Sequence, residues 1–265
     1  MVGRALCFKN LIAEPPADVD VLIMEGTTLL RPTEDGDLTS EAAVEDRMTE
    51  ILGSTKGMPL VWSSGQNIDR LVSIFRACKR SNRQLIVDMY TAAMLRATGN
   101  PRVPQAEWEG MRVFLPAGQK RRIITQKAFG ISDSFRAFRI FPEEIASVAA
   151  RSVMLIRPSM TTDLDNANCV QDVCVVCSVW PEYLEDESNV RFVKWMERNS
   201  LPLFHCHTSG HATEADLKRL RNAFATAVAV PVHLTEREYF QSAFHRSRLV
   251  EDGEWWEVRG ILREE

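Results

Sequence analysis

The sequence predicts an α/β fold organised around a parallel sheet. Three observations carry that prediction. Pro59-Leu-Val-Trp62 and Gln84-Leu-Ile-Val-Asp88 are short apolar runs, and the segment between them has helical periodicity. A Ser63-Ser64-Gly65 turn follows the first run, so residues 59–88 read as one strand–helix–strand unit. Further apolar runs recur at 152–157, 173–179 and 227–232, each separated from the next by helical or irregular sequence.

In chain order, Asp18 to Met24 reads as a buried strand after Pro15-Pro16, ending at Glu25-Gly26-Thr27-Thr28. Residues 41–52 read as a helix with Val44, Met48 and Ile51 on one face. Ile68, Leu71, Phe75 and Cys78 form the apolar stripe of the next helix. Residues 98–120 read as irregular, broken by Gly99-Asn100-Pro101 and Pro104. Ser152 to Arg157 is a strand stopped by Pro158, and Val173 to Val179 one stopped by Pro181. Val190 to Arg198 is helical, and Leu203 to His207 a strand running into Thr208-Ser209-Gly210-His211-Ala212. Thr213 is the expected N-cap of a helix carrying Leu217, Leu220 and Phe224. Ala227 to Val232 delivers His233 at its end, and Asp252-Gly253 is expected to close a hairpin.

The chain has 265 residues, of which 45% are hydrophobic and 26% charged, an ordinary globular balance that excludes disordered, collagen-like and coiled-coil classes. A net charge of -4 excludes a uniformly basic nucleic-acid binder. Charge is uneven, however. Residues 1–50 hold 11 acidic and 4 basic residues, whereas residues 119–139 hold Lys120, Arg121, Arg122, Lys127, Arg136 and Arg139 against Asp133 alone. That basic stretch also carries Phe129, Phe135 and Phe138. It reads either as a path for a phosphate backbone or as a solvated face with its rings in the core. No run of about 20 apolar residues is present and the start lacks signal-peptide character, so a cytoplasmic chain with no membrane contact is expected. The six cysteines show no framework and are read as reduced thiols. On a strand, Cys174 and Cys177 point to opposite faces, so they read as buried side chains rather than a metal or redox pair.

All five histidines lie beyond residue 204, so histidine chemistry is confined to that end of the chain. Glu25, His211 and His233 share one placement, at or just past the C-terminal end of a predicted strand. That is where α/β folds build their sites. His205 and His207 could share one strand face, yet they depart from the His-x-His-x-Asp-His zinc signature. Ser209 stands where the Asp belongs and His211 comes one place late. A supporting hydrogen-bond role suits His207 better.

Met24-Glu-Gly-Thr-Thr28, Ser63-Ser-Gly-Gln-Asn-Ile-Asp-Arg70, Ile156-Arg-Pro-Ser-Met160, Val179-Trp-Pro-Glu-Tyr183, His207-Thr-Ser-Gly-His-Ala212 and Val230-Pro-Val-His233 occur in this order. Together they resemble the β-CASP branch of the metallo-β-lactamase-fold hydrolases, which includes ribonuclease J-like exonucleases and mRNA 3′-end-processing endonucleases. The resemblance implies a discontinuous layout. Residues 1–40 and 186–265 would form part of a metallo-β-lactamase αββα sandwich, and 41–185 an inserted β-CASP domain with a parallel sheet. It implies that Glu25 is an acidic group orienting a catalytic histidine and that His211 acts at the scissile phosphate. Ser209 would be a phosphate donor, Ser64 and Asn67 would lie along the nucleic-acid path, and His233 would ligate zinc. The implied activity is zinc-dependent hydrolysis of RNA phosphodiester bonds.

The family's His-x-His-x-Asp-His motif precedes its Glu25 equivalent. Here 24 residues precede Glu25 and none is His. The chain is therefore expected to be a fragment or split subunit, inactive alone, whose zinc site is completed by a second chain bearing that motif. Half a sandwich should also expose apolar sheet surface. A non-catalytic partner that binds RNA or another single-stranded nucleic acid is the main alternative. A nucleotide-binding protein using the Ser63–Asn67 turn is a third.

Overall fold

A computed structural model of the chain describes residues 2–30, 40–208, 210–234 and 236–261. It separates into two compact units, one formed by Gly36–Ser209 and the other by Met1–Asp35 with Gly210–Glu265. The discontinuous unit begins with helix α1 (Val2–Ala13) and strand β1 (Val21–Glu25).

The continuous unit then runs α2 (Glu41–Ser54), β2 (Leu60–Trp62), α3 (Ile68–Arg80), β3 (Gln84–Asp88) and α4 (Met89–Ala97). It continues through β4 (Met111–Phe114), α5 (Ala117–Thr125), α6 (Phe129–Ser134), β5 (Arg139–Ile140), α7 (Pro142–Val148) and β6 (Ser152–Ile156). It closes with α8 (Thr161–Asn166), β7 (Val175–Cys177), α9 (Val190–Arg198) and β8 (Leu203–His205). The seven strands make one parallel sheet in the order β5-β4-β3-β6-β2-β7-β8. The expected α/β class with a parallel sheet is thus observed.

Alternation along the strands divides the core into two layers. Val61, Leu85, Val87, Val153, Leu155 and Val176 face one layer, covered by α2, α3 and α4. Leu60, Trp62, Ile86, Met154, Ile156 and Val175 face the other, covered by α7, α8 and α9. Because both faces are covered, the strands read as continuous apolar runs rather than alternating ones. Cys174 falls in the first layer and Cys177 in the second, on opposite faces of the sheet. Burial raises both thiols, and pushes Cys169 and Cys206 up to about 11, which disfavours the thiolate form.

The chain then returns to the discontinuous unit with α10 (Glu214–Ala223), β9 (Val228–Val232), α11 (Arg237–Ala243) and α12 (Val258–Ile261). Strand β9 pairs with β1 in parallel, placing Glu25 opposite Val232. Its core is small, gathered around Met24, Leu29, Leu217, Ala229, Phe240 and Phe244. Thr213 caps α10 as expected, accepting from the Asp216 amide at 3.2 Å.

Several sequence readings change. Residues 98–120, read as irregular, contain β4 and the start of α5. Strand β4 is only four residues long and follows Gly110 in a left-handed conformation (φ 86°), so local periodicity was too short to reveal it. The turn at Asp252-Gly253 has no flanking strands among the described residues, so no hairpin forms there. Residues 186–209 lie with the continuous unit. Strand β8 pairs with β7, with Val175 opposite Leu203 and Cys177 opposite His205. Among the described residues, no helix is long and apolar enough to cross a membrane.

Candidate functional site

The C-terminal ends of β1 and β9 bring together three of the residues singled out in the sequence. Glu25 is the last residue of β1, and Gly26 continues the ladder by donating to the Val232 carbonyl at 3.1 Å. His233 follows β9 directly and adopts a left-handed backbone (φ 53°), uncommon for a non-glycine residue. The Thr27 hydroxyl donates to the His233 carbonyl at 3.3 Å, which ties the loop after β1 to the end of β9.

The loop before α10 is strapped to the same edge. The Ala212 amide donates to Glu25 Oε1 at 2.8 Å, and the Thr28 hydroxyl to the Ala212 carbonyl at 2.5 Å. The other Glu25 oxygen, Oε2, bonds His211 Nδ1. Burial on its own would raise the Glu25 carboxyl. Hydrogen bonds from Ala212, His211 and Thr27, together with the charge on His211, outweigh it and hold the group below the ordinary range. An ionised carboxylate only accepts, so His211 carries its proton on Nδ1 in this pair. His211 is 43% exposed and Glu25 25%, so the pair sits at the surface of its unit.

The other predicted site residues are placed differently. Ser209 lies outside the described residues. Ser64 and Asn67 belong to the continuous unit, in the turn between β2 and α3. Ser64 Oγ accepts from the Gln66 amide at 3.2 Å. Asn67 caps α3 by accepting from the Arg70 amide at 3.1 Å. His205 ends β8 and is exposed. His207 is half-buried beside Trp180 and within 3.5 Å of Arg70 Nη1; burial, then the Arg70 charge, lower its pKa. In the basic stretch, Lys120, Arg121, Arg122, Lys127 and Arg136 are exposed. Of its rings, Phe135 is buried in the core, whereas Phe129 is 50% exposed.

Two polar networks of the continuous unit escaped the sequence reading. Arg70, 1% exposed, binds Glu41 through Nε and Nη2 and donates to the Ser178 hydroxyl at 2.6 Å. The Ser178 hydroxyl in turn donates to the Cys206 carbonyl at 2.6 Å. The second network lies where β3, β6 and β2 end. Asp88, 1% exposed, accepts from the Thr91 amide at 2.8 Å, from Gln119 and from Arg157, whose guanidinium stacks over Tyr90. The buried hydroxyls of Ser63 and Thr91 have no hydrogen-bond partner among the described residues. A Cβ on Gly65 would come within 2.5 Å of the Thr91 hydroxyl and 2.9 Å of Arg157 Nη2. Strand β6 leaves toward α8 on one face while β2 and β3 leave toward α3 and α4 on the other. Such divergence opens the crevice in which open α/β sheets bind ligands. The partial signals were an Arg inside an otherwise apolar helical face and an Asp at the end of a buried strand.

Among the described residues, no group of three or more His, Cys, Asp or Glu side chains is placed to hold a metal ion. Comparison with protein-family models finds no match, and comparison with curated proteins finds none. Among solved structures, a protein of unknown function from Enterococcus faecalis V583 is similar with a TM-score of 0.65 at 18% identity. The match covers 89% of this chain and 51% of that one. At that identity the likeness is one of fold, and the chain spans about half of that protein's length.

Proposed function

We propose that this chain contributes to a zinc-dependent hydrolase of RNA phosphodiester bonds, of the β-CASP type that its motifs resemble. The observation carrying this reading is the Glu25–His211 pair at the edge where β9 presents His233. A carboxylate bound to Nδ1 fixes the ring and its tautomer, and the role proposed for Nε2 is to exchange a proton with, or donate to, a phosphate oxygen. The Ala212 and Thr28 bonds hold the loop so that His211 is positioned before substrate arrives. In this reading Ser209 is a phosphate donor, and Ser64 and Asn67 lie on the strand's path. The unit of residues 1–35 and 210–265 would correspond to sandwich sequence and the unit of residues 36–209 to the β-CASP insertion.

The donor set within these residues does not by itself fit a catalytic zinc, which takes three protein ligands and a water. His233 supplies one ligand in this reading. The others belong to a His-x-His-x-Asp-His segment that these 265 residues do not contain. A second polypeptide carrying that segment is the proposed partner, and RNA the proposed substrate.

The test mixes the purified chain with a polypeptide bearing His-x-His-x-Asp-His and follows 5′-labelled RNA with zinc and with chelator. Cleavage that needs both chains and zinc, and falls at least 100-fold in His211→Ala, is the expected result. Equal cleavage by His211→Ala, or none with any such polypeptide, refutes the catalytic reading. The exposed cations of α5 and its flanks favour a second, binding-only reading. It predicts salt-sensitive RNA retention that survives His233→Ala.

A further inference from the structure

The amino ends of β3, β4, β5 and β6 carry a concentration of arginine that the proposed hydrolase does not use. A cavity of about 260 Å³ opens there, lined by Gln84, Arg112, Ile140, Glu144, Ser147 and Arg151 among others. It lies at the opposite end of the sheet from Asp88, the last residue of β3, and Arg157, which follows β6. Its volume is below the roughly 300 Å³ at which drug-sized pockets begin, so it suits a small ligand.

Its electrostatics are unbalanced. Arg151 is exposed and has no hydrogen bond or ion pair among the described residues, including to the carbonyls that end α7. The Val148 carbonyl at that helix end is already taken by the Ser152 hydroxyl at 2.7 Å. Arg112 donates to the Arg139 carbonyl at 3.1 Å and has no carboxylate partner among the described residues. Glu144 is the pocket's only acid, and one of its oxygens accepts from the Phe141 amide at 2.8 Å. Two neighbours add positive charge without adding acid. Arg139 lies over the Phe141 ring with a buried Nε that has no partner, and Arg83 donates only to the Thr55, Gly57 and Ser152 carbonyls.

We propose that this pocket binds a phosphoryl group between the guanidinium groups of Arg112 and Arg151. A guanidinium presents a planar fork of donors matched to phosphate oxygens, and two forks with one acid between them favour a doubly charged anion. The phosphoryl group can come from free phosphate or from the end of a nucleotide.

The test is calorimetric titration of the whole chain with potassium phosphate and, separately, with uridine 5′-monophosphate, at ionic strength matched with potassium chloride. Saturable binding of at least one is expected, weakened about tenfold or more in Arg151→Gln and in Arg112→Gln. Whichever probe saturates at lower concentration identifies the source. Glu144→Gln keeps an oxygen for the Phe141 amide while removing the charge, so it is expected to tighten binding several-fold. Glu25→Gln, in the other unit, is expected to leave binding unchanged, which separates this site's fate from that of the proposed hydrolase. Arg151 is exposed, so its variant folds, and unchanged thermal melting without ligand checks this. Absence of saturable binding for both probes, or equal binding by Arg151→Gln, overturns the proposal.

Discussion

The seven strands of residues 36–209 and the two strands of the discontinuous unit are all parallel, yet they are buried very differently. Strands β2, β3, β6 and β7 are buried almost throughout, with helices over both faces. In the two-stranded sheet, Ile23 is 60% and Val232 41% exposed, and β1 pairs with β9 alone among the described residues. Parallel sheets normally occur with both faces covered, and an isolated strand pair is marginal in water. The larger unit therefore has the character of a self-sufficient scaffold. The smaller one holds the Glu25–His211 pair on a far thinner core. The candidate site and the larger core thus lie in different units of one chain.

That contrast can be broken most directly at the aromatic pair of the small unit. Phe240 is fully buried and packs at a tilt against Phe244 with ring centroids 4.7 Å apart. Phe240→Ala is expected to cost about 3–5 kcal/mol. Hydrogen exchange should then show residues 21–25 and 228–232 losing protection while β2, β3 and β6 keep theirs. Simultaneous loss in both units would mean that they unfold as one. Arg70→Ala strikes the other side of the comparison. It leaves Glu41 half-buried without its cation and Ser178 without a donor, at a cost of about 3 kcal/mol in urea unfolding. The double variant with Glu41→Gln should recover part of that loss.

Smaller effects sharpen the distinction. Glu25→Gln is expected to destabilise the small unit by about 1–2 kcal/mol, because the His211 ring loses an ionised acceptor. The folded-state pKa of Glu25 is lowered, so its contribution is complete above the unfolded pKa and is lost as pH falls through the folded value. Acid should thus loosen residues 21–25 and 228–232 in the native chain, and Glu25→Gln should flatten that part of the pH profile. Glu41 is lowered too, through Arg70 and Ser73 acting against burial, so the large unit has its own acid dependence that Glu25→Gln leaves in place. Finally, Asn67→Ala and Thr213→Ala each remove one helix cap, in different units, and each should cost about 1 kcal/mol. Equal costs in melting experiments would show that local capping does not feel the difference in core size.

The parts of this fold that were legible are those governed by neighbours in sequence. The α3 stripe, the apolar runs of β2, β3 and β6, the Thr213 cap and the opposed faces of Cys174 and Cys177 all follow from local period. Short elements such as β4 and β5, four and two residues long, fall below what a period can register. Long-range pairing was hidden for another reason. Nothing local tells β8 to join β7, and the ion pair between Arg70 and Glu41 joins residues 29 positions apart on two helices. For the candidate site, strand-end position singled out Glu25, His211 and His233, and the structure gathers them although Glu25 and His211 are 186 residues apart. The Asp88–Arg157 crevice was missed because its members come from three strands and become a group only once the sheet is ordered.

The pairing of β1 with β9 also sets an order of events in biosynthesis. Thr27 and His233, whose contact seals that edge, are separated by 206 positions. Closing so long a loop is entropically costly until the intervening residues have folded, and β9 leaves the ribosome long after β1. During that interval β1 has no strand to join, and Ile23 and its neighbours are open to chaperones or to wrong partners. A chain that stalls between residues 206 and 227 would hold every strand of its large sheet and still lack the Glu25–His211 site, since assembly of that site waits on β9.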